Sequence, residues 1–116
     1  DARPDESLDG STPRKMKLRV LPEAFRDLAE AVDWYNNQQE GLGEEFESLF
    51  YTRVESLTGN SLRHAVAYRD IRRLLLNKFP YAVYYRIHLQ EIVISLIFHS
   101  ARNPIILRRL LRSRPG

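Results

Sequence analysis

Midway along this chain the apolar residues change their period. As far as Leu57 they recur at helical spacing, and from Arg69 to His99 they alternate. A chain that makes this switch once builds helices first and a sheet afterwards, and must bury one against the other. Lys17–Leu21 is a short strand candidate ahead of the helices. Pro22 then suits the first turn of a helix, where its missing N–H is no loss. Phe25, Leu28, Val32 and Tyr35 form one apolar stripe, Ala24, Ala29 and Ala31 raise helix propensity, and Glu23 and Asp27 suit the N-terminal dipole. Gly41 and Gly43 follow Gln39 and predict a turn. A second helix is expected from about Glu44 to Leu57, with Phe46, Leu49, Phe50, Val54 and Leu57 inward, stopped by Thr58-Gly59-Asn60-Ser61. Two such helices joined by a short glycine turn make an antiparallel hairpin.

The second half predicts three strands, Arg69–Phe79, Tyr81–His88 and Glu91–His99, rich in β-branched and aromatic residues. In the second, Tyr81, Val83, Tyr85 and Ile87 make an apolar face, and Ala82, Tyr84, Arg86 and His88 a mixed one. In the third, Ile92, Ile94, Leu96 and Phe98 alternate with Val93, Ser95, Ile97 and His99. That strand is therefore central and covered on both sides. Short connections at Pro80 and at Leu89-Gln90 imply an antiparallel meander. From Pro104 the chain reads as a short basic helix. The expected fold is α+β in the order β-α-α-β-β-β, with the helical hairpin packed on one face of a small, mostly antiparallel sheet. The other face carries part of the basic charge.

Residues 1–15 hold seven charges, two prolines and a single leucine, and read as a disordered or non-native extension; the folded domain is expected over 16–116. That polar start carries no secretory signal pattern, and no apolar run reaches the ~18 residues of a membrane span, so a cytoplasmic protein without a membrane role is expected. There are no cysteines, which excludes disulfides, thiolate metal sites and a cysteine nucleophile. His64, His88 and His99 lack metal-ligand spacing, so neither metal nor other cofactor is expected. The net charge of +3 conceals an asymmetry. Residues 17–58 hold nine acids against four bases, and residues 61–116 hold two acids against eleven bases. A basic half of this kind attracts nucleic acid or an acidic protein segment, unless the two halves simply neutralise each other on folding.

Three segments carry a resemblance. LAEAVDWYNNQQEGLGEEF (28–46), IRRLLLNKFPYAVYYRI (71–87) and IVISLIFHSARNP (92–104) resemble, in order and spacing, the hairpin, paired strands and last strand of the RelE/ParE superfamily. These are the toxins of bacterial type II toxin–antitoxin modules. The resemblance implies a toxin neutralised by a cognate antitoxin. Some members cleave mRNA on the translating ribosome and others poison DNA gyrase, so the fold alone does not decide between them. The residues favour the gyrase branch. Where mRNA-cleaving relatives carry a catalytic arginine this chain has Ala82, where a further basic residue is expected it has Leu75, and no tyrosine follows Tyr85, with Leu107 near that place. The alternatives are a ribosome-dependent endoribonuclease and a relic that only binds antitoxin.

Metal-free RNA cleavage needs a base for the 2′-OH, an acid for the leaving oxygen and cations around the phosphate. For that reading the candidates are Arg73, Arg86, His99 and Arg102. For binding nucleic acid or a partner they are Arg72, Lys78, Tyr84, Arg86, Arg108, Arg109 and Arg112. Each has an ordinary structural role to set against this: His99 as a turn residue, Lys78 as a solvated side chain, the arginines as ion-pair partners. Arg72 and Arg73 are adjacent on a strand and must point to opposite faces. Trp34 lies off the helix stripe and suits the interhelical space or the antitoxin. The antitoxin is expected to be acidic and to fold on binding, and monomer and dimer are both compatible with the chain.

Overall fold

In a computed structural model of the chain, residues 16–115 are described. The extension expected over residues 1–15 lies outside them. The elements are β1 (Lys17–Val20), α1 (Pro22–Gln38), α2 (Leu42–Glu55), a single turn α3 (Leu57–Asn60), β2 (Val66–Tyr68), β3 (Ile71–Leu75), β4 (Tyr81–His88), β5 (Glu91–His99) and α4 (Pro104–Ser113). The five strands form one sheet in the order β1-β5-β4-β3-β2. β1 runs parallel to β5, and every other pairing is antiparallel. The predicted α+β order is present. The strand expected over Arg69–Phe79 is shorter, Ile71–Leu75, and an unexpected strand β2 precedes it, because Arg69 takes a positive φ of 53° and turns β2 back onto β3.

The α1–α2 hairpin covers one face of the sheet. Leu28, Tyr35, Phe46, Phe50, Val54, Leu57, Leu74, Val83, Tyr85, Ile92 and Ile94 form the main core there. The buried stripe of α1 is Ala24, Leu28, Ala31 and Tyr35, rotated from the expected one, and Phe25 is 47% exposed. Alanines at the contact let the helix axis approach the sheet, which turns Phe25 toward the solvent side of the hairpin. Tyr35, Phe46, Phe79 and Tyr81 make a mutual aromatic cluster with ring centroids 4.9–6.0 Å apart.

The turn between the helices depends on two glycines. Gly41 has φ 88°, a left-handed conformation that favours glycine. Gly43 is buried where α2 crosses α1. Its N–H donates to the Asn36 side chain at 2.7 Å, and the Asn36 amide donates to Glu44 at 3.1 Å. A Cβ at Gly43 would collide with the Val32 carbonyl oxygen and lie 2.6 Å from Asn36 Cγ. Backbone cannot yield as a side-chain tip can. Gly43→Ala is therefore expected to lower unfolding free energy by about 1–3 kcal/mol, measured by urea denaturation.

The expected alternation of β5 fails at one place, for a local reason. Tyr84 pairs with Leu96 and Tyr85 with Ile94, which leaves Ser95 as an extra residue in a β-bulge. The bulge reverses the phase. Ile92, Ile94 and Ile97 face the hairpin, whereas Leu96 and Phe98 face the other way. That second face is not bare. Helix α4 lies on it, and Ile106, Leu107, Leu110 and Leu111 pack on Ile71, Ala82, Tyr84, Leu96 and Phe98. The sheet is thus covered on both sides.

Candidate functional site

The α4 side of the sheet gathers one set of the expected site residues. On β3, Ile71 and Arg73 point to this side and Arg72 points to the other. Arg73 faces Tyr84 across the β3–β4 ladder, where its guanidinium favours the ionised form of the phenol. Burial pushes the Tyr84 phenol above its ordinary pKa, and Arg73 pulls it only part of the way back. The phenol therefore stays neutral near pH 7 and is no general base there. Arg86, on the same face of β4, pairs with Asp70 in the β2–β3 turn at 3.2 Å. Ala82, where RNA-cleaving relatives are expected to place an arginine, is fully buried beneath α4.

Other expected residues are held in structural roles. Arg72 donates from Nη1 to the carbonyls of Leu62 at 3.3 Å and His64 at 2.7 Å, fixing the segment that leads into β2. The Tyr85 hydroxyl donates to Ser61 O at 2.6 Å in the same region. Lys78 pairs with Glu45 at 3.0 Å on the surface, tying the β3–β4 connection to α2.

His99 and Arg102 lie elsewhere, at the far end of β5. They border a cleft of about 510 Å³ between α1, the β5 edge and α4, lined also by Glu30, Trp34, Tyr81 and Leu110. The His99 ring lies edge-on to Tyr81, with centroids 5.1 Å apart, and its Nδ1 accepts the N–H of Ala101 at 3.1 Å. Arg102 stacks over Phe98 at 4.9 Å. Burial raises the Tyr81 pKa, opposed by Arg102 and reinforced by Glu30 and Asp27. Trp34 is 55% exposed at the cleft wall. Tyr81 and His99 face the hairpin side of the sheet, and Arg73 and Arg86 the α4 side. Tyr81 also stands three residues along β4 from Tyr84, about 10 Å. The sheet therefore divides His99 from Arg73 and Arg86, and Arg102 lies beyond the end of β5, stacked on Phe98 of the α4 face.

The floor of the cleft contains a feature that sequence reasoning missed. Arg114 grips Asp27 with both nitrogens, at 2.6 and 3.1 Å, and donates to Ser95 O at 3.0 Å. Asp27 Oδ2 also accepts the Ile97 N–H at 3.0 Å. β1 ends at Val20, opposite Ile94, and the ion pair takes over the backbone groups of β5 that the bulge leaves beyond it. The partners are 87 residues apart in sequence, and Asp27 reads there as one of two ordinary acids near the N-terminal end of a helix. A second, smaller groove lies along the α1–α2 hairpin, lined by Phe25, Leu28, Ala29, Val32, Asp33, Glu47 and Tyr51, with Phe25 and Tyr51 exposed.

No group of three His, Asp or Glu among the described residues is arranged to hold a metal ion. No helix among them is long and apolar enough to cross a membrane. What remains is a helical hairpin on a bulged, mostly antiparallel sheet, with a cationic helix on the second face: the build of a RelE/ParE-superfamily toxin. Residues 18–104 match the family described as the ParE toxin of the type II toxin–antitoxin system, parDE, and the chain belongs to that family. Among solved structures it is similar to the chromosomal ParDE toxin–antitoxin system of P. aeruginosa, with TM-score 0.67 and 21% identity over 73% of this chain and 96% of that one. It is also similar to the isolated E. coli RelE toxin, with TM-score 0.49 and 11% identity over 84% of this chain and 97% of that one. No curated protein matches the sequence. The chain is a ParE-like type II toxin, and its family implies a cognate antitoxin as partner.

Proposed function

We propose that this toxin, working as a unit over residues 16–116 in the cytoplasm, acts by binding DNA gyrase rather than by cutting RNA. The observation that carries this reading is the closed apolar cluster around Ala82. The sheet face on which RNA-cleaving relatives are expected to assemble their chemistry is here filled by Leu96, Phe98 and Leu111. Arg73 and Arg86 beside it are engaged with Tyr84 and Asp70, and a neutral buried phenol supplies no base. A toxin that inhibits by surface complementarity needs no such base. The test is a cleavage assay with purified gyrase, ATP and supercoiled plasmid. Added toxin is expected to trap cleaved plasmid as linear DNA after protease treatment. Unimpeded supercoiling at excess toxin contradicts the gyrase reading.

One arrangement favours the ribonuclease alternative: the cleft at the end of β5, where His99, Tyr81 and Arg102 stand together. Its histidine already accepts a backbone N–H in the turn that follows β5.

The antitoxin in this proposal is an acidic segment that folds on contact. The basic half of the chain attracts it, and the hairpin groove with exposed Phe25 and Tyr51, lined by Asp33 and Glu47, can seat only its uncharged apolar side chains. Association is expected to slow by about tenfold or more between low and physiological salt in stopped-flow mixing. A rate insensitive to ionic strength contradicts the charge argument.

A further inference from the structure

Helix α4 has two faces of opposite character. Leu107, Leu110 and Leu111 seat it on the sheet, and Arg108, Arg109 and Arg112 project from the far side, all exposed. At about 100° per residue these three arginines fall within one outward arc of roughly 100°, and Arg108 and Arg112 stand about 6 Å apart along the axis. The helix contains no acid. Among the described residues no carboxylate forms an ion pair with any of the three. Both helix ends are fixed: the Asn103 side chain accepts the Ile105 N–H at 2.8 Å, and Arg114 is clamped to Asp27. The arginines therefore stand on a rigid ridge and not on a fraying tail.

From this we infer that the outer face of α4 binds the phosphodiester backbone of duplex DNA. Two features favour a polyphosphate over an acidic protein segment. First, the face offers almost no apolar surface, only Ile105, whereas a protein segment that folds on contact needs apolar anchors; those lie in the α1–α2 groove instead. Second, all six cations after Lys78 are arginines, whose planar fork matches phosphate oxygens in pairs. A duplex carries about one negative charge per 1.7 Å of axis, so a ridge of three guanidinium groups meets phosphate in any register along it. Contacts of this kind hold DNA without reading its sequence. The inference goes beyond gyrase binding and does not depend on it.

The test is fluorescence anisotropy of a labelled duplex of about 20 base pairs, with the full chain, over a series of salt concentrations. The parent is compared with Arg108→Gln/Arg109→Gln/Arg112→Gln, which keeps helix propensity and touches no buried atom. A second variant, Lys17→Gln/Arg26→Gln/Arg63→Gln, removes the same charge from exposed positions outside α4. The α4 variant is expected to bind about 10- to 100-fold more weakly, with its salt slope reduced by about 2–3, and the second variant to stay within about threefold of the parent. Three results overturn the inference: no binding by the parent at ~50 mM salt, equal losses in both variants, or an α4 variant that binds like the parent. Polyglutamate held as tightly as DNA by the parent also overturns it, because the face then recognises acidic protein.

Discussion

Asp27→Ala is expected to remove about 3–5 kcal/mol of unfolding free energy, read from the urea midpoint at constant slope. The side chains of Asp27 and Arg114 are only 16% and 14% exposed. Deleting the carboxylate leaves a nearly buried guanidinium without its counter-charge and a bulged strand without an acceptor for the Ile97 N–H. The loss reaches beyond one contact, because α1, β5 and the end of α4 meet at this pair. Asp27→Ala/Arg114→Ala is expected to be less damaging than the sum of its single variants, since neither charge is then stranded. A loss below about 1 kcal/mol in the single variant means that solvent screens the pair, as at an exposed site.

Phe46→Ala is the other large effect, with an expected loss of about 3–5 kcal/mol. The ring is fully buried and stacks on Tyr35 with centroids 5.3 Å apart; Phe79 and Tyr81 meet it edge-on at 5.1 and 5.0 Å. Its neighbours come from α1, the β3–β4 connection and β4. None can close the cavity without moving a backbone element. Phe46→Leu refills much of the volume, so its loss is expected to be clearly smaller. Equal losses would mean that ring geometry matters more than volume. Thermal unfolding of both variants separates the two cases.

The parts of the fold that were legible in the sequence are those fixed by local periodicity. The glycine turn at Gly41 and Gly43, the inward Phe46, Phe50 and Val54, and the face of β4 with Val83 and Tyr85 all follow from spacing and are all present. What spacing did not reveal is where tertiary contacts change the count. Ser95 adds one residue to β5, and from there Ile97 exchanges faces with Leu96 and Phe98. No local signal marks that position. It is a serine in an apolar run whose carbonyl is taken by an arginine near the end of the chain. In α1, small alanines face the sheet in place of Phe25, because how closely two elements approach is a property of both. The basic tail reads as a helix, but its docking on the second face rests on that bulge and on the Asp27 clamp.

The same limit applied to the site. The list of basic residues was readable, and so was the rule that Arg72 and Arg73 point apart, which holds. Their partners were not readable: Arg72 with two loop carbonyls, Arg73 with Tyr84, Arg86 with Asp70, Lys78 with Glu45. Alternation assigns Tyr81 and His99 to faces of their own strands, but the separation of His99 from Arg73 appears only once β4 and β5 are placed in register.

The most direct measurement is mRNA cleavage in a cell-free translation reaction, with purified toxin in excess and message ends mapped by primer extension. A protein-directed toxin with its sheet face closed around Ala82 leaves the message intact, and this is the predicted result. New ends that appear only with translating ribosomes would contradict it, and would place RNA chemistry on residues that the fold divides between two faces of the sheet.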